Sequence, residues 1–237
     1  MLEADLLIEF TNFIKKFFFI TSFLIFSMKT KYVLFNVLTI VFFGLLFSCK
    51  KDDTKEVAPQ AQFVEIDGEQ YPIVTIGNQA WTATNYKGQG GRPYDKFNSR
   101  PEYGNYYSFE ELQNIVLPAG WEIPTMEDFI ELAKSQGVEF TGLNAVKQDA
   151  IKKLVSQTRW LNINGNNKSG FNAYPGGYVI SVDSSPMDGD ISEFWTSDTA
   201  TVSIQEGADL KNHNIKIYQY LENAPGRFNI RFIQKNK

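Results

Sequence analysis

LPAGWEIPTMEDFIELAKSQG, residues 117–137, is the stretch from which the fold can be read. Pro118 and Gly120 mark a turn, the first by fixing φ and the second by tolerating positive φ. Trp121 follows at once, is too apolar to leave in solvent, and is expected beneath the helix that comes next. Pro124 holds Ile123 extended. Thr125 is placed to cap the helix, with Asp128 three residues on as its capping-box partner. Met126, Phe129, Ile130 and Ala133 then fall on one helical face. Gly137 sits where a glycine past the last turn ends a helix. The segment predicts the central helix of a small domain.

Working outward, residues 63–86 read as three short strands. Asp67-Gly68 and Gly77-Asn78 supply the turns between apolar runs. Pro72 argues for an edge strand, or for a place near the strand's start. A Gly/Pro-rich loop, about 87–102, precedes a helix capped by Ser108 with Glu111, its inner face Phe109, Leu112 and Ile115 or Val116. A further helix is expected over about 145–157, capped by Asn144, with Val146, Ala150, Leu154 and Val155 inward. Trp160 opens an asparagine-rich segment that leads to a strand at Tyr178–Val182 and a loop, SVDSSPMDGDISE. Alternating runs then close the chain, with Phe228, Ile230 and Phe232 on one face and Asn229, Arg231 and Ile233 on the other. Strands first, helices in the middle and strands last predict an α+β fold of antiparallel sheets whose two ends meet in one sheet.

The first fifty residues are of another kind: eleven of the twenty phenylalanines lie in residues 1–48. Lys29 and Lys31 precede an apolar run from Tyr32 to Phe47, then Ser48-Cys49, the layout of a signal peptide over 28–48. LFSC at 46–49 resembles a bacterial lipobox, in which the cysteine takes the lipid and becomes the mature N-terminus. The alternative, a transmembrane anchor, needs roughly 20 apolar residues, and the run is shorter. Residues 1–27 hold a second apolar stretch; an upstream extension before a true start at Met28 is the simplest account, two membrane segments the other. Residues 49–62 read as a flexible tether. Within it Lys51-Asp52-Asp53 resembles a surface-export signal of Bacteroidetes lipoproteins. The expected address is thus the outer membrane, facing outward, with the membrane a partner through the lipid on Cys49. Residues 63–237 form one domain. Residues 49–237 carry 19 basic and 24 acidic residues, a balance that argues against nucleic acid. Cys49 is the only cysteine, so no disulfide, zinc cluster or cysteine nucleophile is available to the folded domain.

VTIGNQAWTATNYK, YGNYYSF, LPAGWEIPTMEDFIELA, RWLNINGNNKSGFNAYPGGYV, EFWTSD and FNIRFIQ, in this order, resemble the Fibrobacter succinogenes major paralogous domain, a family abundant in surface lipoproteins. The GWEIPTMED and WTS blocks are also similar to the C-type-lectin-like fold, formylglycine-generating enzymes included. That resemblance implies a compact domain with two or three helices, a terminal sheet and a loop-rich face. It also implies a cysteine pair where this chain has Leu117 and Phe232; two apolar residues there still call for burial.

The activity of formylglycine-generating enzymes needs reactive cysteines and does not carry over. His213, the one histidine, reads as an exposed loop residue. Asp183, Asp188 and Asp190 are weak calcium candidates, since calcium wants six to eight clustered oxygens; otherwise no cofactor is expected. A glycan or protein surface is the stronger expectation. Trp160 with Asn164, Asn166 and Asn167, and Arg92 with Tyr94, have the composition of a sugar site. Trp121 and Trp195 are expected in the core, and Trp81 in a sheet. The functional expectation is non-catalytic recognition or adhesion. The alternatives are an enzyme or accessory subunit acting on surface polysaccharide, and a structural surface-layer part.

Overall fold

The computed structural model describes residues 62–145, 147–181, 183–219 and 226–235. All lie in the compact unit Pro59–Lys237. The upstream extension, the signal peptide, Cys49 and the tether lie outside the described residues.

Two antiparallel sheets and three short helices make the fold. The first sheet has the order β1-β2-β3-β9, with β1 Phe63–Ile66, β2 Glu69–Ile76, β3 Gln79–Thr82 and β9 Ile233–Lys235. β9 pairs with β3, Trp81 opposite Ile233, so the two ends of the domain meet in one sheet. Asp67 and Gly68 both have positive φ, the requirement of a type I′ hairpin turn. Pro72 is neither at an edge nor at a start. It sits where β2 hands over from β1 (Phe63 opposite Pro72) to β3 (Ile73 opposite Thr82). Its carbonyl accepts from Ala83 N–H; the return bond to Ala83 is the one proline cannot make, and the β2–β3 ladder ends at Ile73 and Thr82.

The second sheet has the order β4-β5-β8-β7-β6. Its strands are β4 Phe140–Thr141, β5 Asn144–Ala145, β6 Ile191–Trp195, β7 Ala200–Glu206 and β8 His213–Gln219. The expected helix over 145–157 shrinks to α3, Gln148–Ile151. Asn144 caps nothing, because it and Ala145 are drawn into β5 against β8, and tertiary pairing overrides local helix preference. Ala150, Leu154 and Val155 are still buried; Val146 lies outside the described residues. The strand expected at Tyr178–Val182 is reduced to a bridge between Val179 and Arg227, and Val182 too lies outside the described residues.

α1, Phe109–Gln113, and α2, Met126–Ser135, begin with full capping boxes at Ser108 and Thr125. At α2, Thr125 N–H donates to Asp128 Oδ2 at 2.8 Å, and Asp128 N–H donates to Thr125 Oγ1 at 3.2 Å. At its other end Gly137, φ 96°, permits paired bonds from Val138 to Ala133 and from Gly137 to Lys134, a Schellman motif. The inward face of α2, Phe129, Ile130 and Ala133, packs with Phe194, Val202, Ile204, Ile215 and Ile217 of the second sheet. Burying a phenylalanine such as Phe129 contributes about 2–3 kcal/mol.

Trp81, not Trp121, packs against α2: its ring lies 5.0 Å from Phe129. Trp121 is half-buried in a second cluster with Ile66, Tyr71, Trp195 and Phe228. Leu117 and Phe232 share that cluster, which is the burial their replacement of a cysteine pair called for. Asn229 and Arg231 are buried as fully as their apolar neighbours. The Arg231 guanidinium donates to the carbonyls of Thr82, Phe171 and Asn172 and to Asn85 Oδ1, and lies 4.7 Å over the Phe171 ring.

Candidate functional site

The loop-rich face is assembled from several separate segments. The first carries Arg92 and Tyr94. It is fixed by a bridge in which Arg92 and Tyr106 exchange backbone hydrogen bonds at 2.9 and 2.8 Å. Arg92 Nη1 reaches on to the Ser181 carbonyl at 3.4 Å. The Tyr94 ring meets Tyr103 edge-on at 5.6 Å, and Tyr103 meets Tyr174 at 6.2 Å. The Asp188 carboxylate and the Arg100 guanidinium both lie close to the Tyr94 hydroxyl. Burial, then Asp188, pushes the Tyr94 phenol above its usual range. Arg159 completes the rim, paired with Glu102 at 2.8 Å.

Two candidates that the sequence put 94 positions apart, Tyr94 and Asp188, therefore stand side by side. The loop that brings Asp188 there depends on Gly177. With φ 69° and the Met187 carbonyl against its α-carbon, a side chain at Gly177 would collide with that oxygen. Tyr94 and Tyr174 are half-buried, so ring edges and faces reach the surface beside the Arg92, Arg100 and Asp188 side chains. Such a surface can stack on an apolar face and hydrogen-bond the groups around its edge.

The other candidates fall elsewhere. Trp160 is 5% exposed, its ring edge against His213 at 4.8 Å and its Nε1–H donating to the Ala173 carbonyl at 3.3 Å. It is core, not a stacking platform. Its asparagine neighbours serve the loop itself. Asn166 Oδ1 accepts from Lys168 N–H, and Asn167 Oδ1 from Asn172 N–H. Asn167 and Asn172 occupy positive φ, which asparagine tolerates better than most residues. Asn164 is exposed. Asn162 donates through backbone and side chain to Glu206. The three aspartates do not converge: no cluster of three or more metal-binding side chains occurs among the described residues. Asp188 instead lies beside Tyr94, and Asp183 and Asp190 are exposed.

His213 is not an exposed loop residue. It opens β8, is fully buried, and neither ring nitrogen has a partner. Burial pulls its pKa down to about 4. Glu193, on β6, is a further buried ionisable group, one that the sequence did not single out. It is 6% exposed, and burial pushes its carboxyl up to about 7 although Thr201 donates to it. The hint available was a lone acid inside the apolar strand pattern ISEFW.

No significant match occurs among the curated proteins or the solved structures. A family model does match, over residues 74–234, from the end of β2 to β9. That span takes in the second sheet, β3 and most of β9 from the first, the loop face and most of the chain, and on it the chain belongs to the Fibrobacter succinogenes major domain family.

Proposed function

We propose that this chain is a lipid-anchored envelope protein, displayed on the outer surface, whose C-type-lectin-like domain recognises a glycan or protein through its loop face and catalyses no reaction. The observation that supports recognition is the convergence of Tyr94, Tyr103, Tyr174 and Asp188, with Arg92 and Arg100 beside them. Sugars offer an apolar ring face edged by hydroxyls, and this surface offers aromatic rings edged by a carboxylate and guanidinium groups. LFSC at 46–49, with Lys51-Asp52-Asp53 behind it, supports the anchor and the address.

The test is a glycan array probed with the full chain in detergent, with and without calcium. Reproducible binding to one glycan class, lost in Tyr94→Ala and in Asp188→Asn, is the expected result. Binding that survives both changes puts the site elsewhere. No binding in either condition removes the glycan reading and leaves a protein ligand or a structural role, which cross-linking on intact cells separates. For the anchor, Cys49→Ser should release the protein from the membrane fraction; retention would mean that the apolar segment itself holds the chain.

A further inference from the structure

The outer face of the second sheet holds a cleft of about 470 Å³, bordered by Tyr178, Glu193, Thr201, Gln205, Tyr218 and Phe228. Strand alternation puts them there. Val202, Ile204, Ile215 and Ile217 enter the core. Thr201 and Gln205 on β7 face outward, Thr201 opposite Tyr218 on β8. Glu193 on β6 shares that face, opposite Ser203. The volume lies within the range of small-molecule sites, about 300–1,000 Å³.

Glu193 lies at the floor. Its Oε1 accepts from Thr201 Oγ1 at 2.6 Å, and among the described residues no ion pair reaches it. Lys216 lies on the same face but two strands away, roughly 10 Å at ordinary strand spacing, with Ser203 between. The raised pKa of Glu193 is the expected mark of a buried carboxyl without a counter-charge. The walls are aromatic: Tyr178 stacks on Phe228 at 5.8 Å, and Tyr218 is 41% exposed. Ile180, 51% exposed, adds apolar surface at the mouth. Ring faces carry partial negative charge and attract cations.

We propose that this cleft binds an alkyl ammonium group of the kind a lysine side chain presents, with its nitrogen against Glu193 and its carbon stem between the aromatic walls. A compact ammonium suits the site better than a guanidinium. Thr201 already occupies Oε1, and a guanidinium fork wants both carboxylate oxygens at once. Gln205 Oε1 stands as a second acceptor, reached by Ser203 and Tyr218 only at 3.4 and 3.5 Å, too long for strong bonds.

The test is calorimetric titration of the full chain in detergent with Nα-acetyl-lysine methylamide. The neutral norleucine analogue and the arginine analogue serve as comparators. The lysine probe should bind roughly tenfold or more tightly than the norleucine probe, and Glu193→Gln should erase that preference. Tyr218→Ala, which leaves the carboxylate in place, should weaken the lysine probe several-fold, and it decides the matter if Glu193→Gln does not fold. A preference that survives Glu193→Gln, unchanged lysine binding in folded Tyr218→Ala, or no preference at all would overturn the proposal. Tighter binding of the arginine probe would overturn the choice of ammonium.

Discussion

Replacing His213 with phenylalanine should uncover a pH dependence of stability that the native chain conceals. His213 has a folded pKa of about 4 against 6.5 when free. As pH falls from about 7 to about 5, the unfolded chain takes up this proton and the folded chain does not, which costs about 2 kcal/mol. Glu193 runs the other way, with a folded pKa of about 7 against 4.5 when free. Over the same window the folded chain takes up the Glu193 proton first, which stabilises it by about 2 kcal/mol. The two residues sit on opposite faces of the second sheet and neither is among the causes of the other's shift. The contributions therefore add, and nearly cancel. Urea unfolding at about pH 7 and about pH 5 reads the result. The native chain should be almost flat. His213→Phe should gain about 2 kcal/mol on acidification, and Glu193→Gln, which keeps its bond from Thr201, should lose about as much. A His213→Phe profile as flat as the native one would refute the reasoning, because it would mean that burial shifts neither group as described.

Thermal and urea melts test three more positions. Trp81→Ala should cost about 3–5 kcal/mol as a fully buried ring is lost from beneath α2, and Trp121→Ala about half of that, since its ring is half-exposed; equal losses would contradict the placement. Arg231→Met leaves three carbonyls and an amide oxygen without their donor and should cost about 3–5 kcal/mol; an unchanged midpoint would show that the pocket refills at no cost. Gly177→Ala should cost roughly 2 kcal/mol or more and reduce any ligand binding at Tyr94 along with it; full stability would mean that the Met187 loop yields freely.

Local chemistry was the legible part of this chain. α2 announced its start at Thr125-Asp128 and its stop at Gly137, because caps and turn glycines act within a few residues. The Asp67-Gly68 hairpin was readable for the same reason, and the family resemblance held because six blocks stood in register. Features made across long separations were not readable. Asn144 looked like a helix cap, yet β8, some seventy residues on, recruits it as a strand. Trp160 beside a run of asparagines had the composition of a sugar platform, yet His213 and Ala173 claim the ring. Half of the loop face was in view as Arg92 and Tyr94. Asp188 had been weighed only as a metal ligand, and nothing local links it to a tyrosine 94 positions earlier. His213 and Glu193 were missed because burial of a single polar residue leaves no periodic trace.

The site of Arg231 has a bearing on the order in which the domain comes together. Its guanidinium binds backbone from 82 and from 171–172, and its own strand closes the first sheet against β3. A nascent chain that has emerged only to residue 226 carries the sequence of eight of the nine strands and of all three α-helices found among the described residues, yet lacks the segment on which these regions converge. Contacts of such separation form late, after loop-closure entropy has been met. Synthesis must run through Arg231 and β9 before this domain can close, and until then its apolar strands remain open to whatever machinery receives the chain.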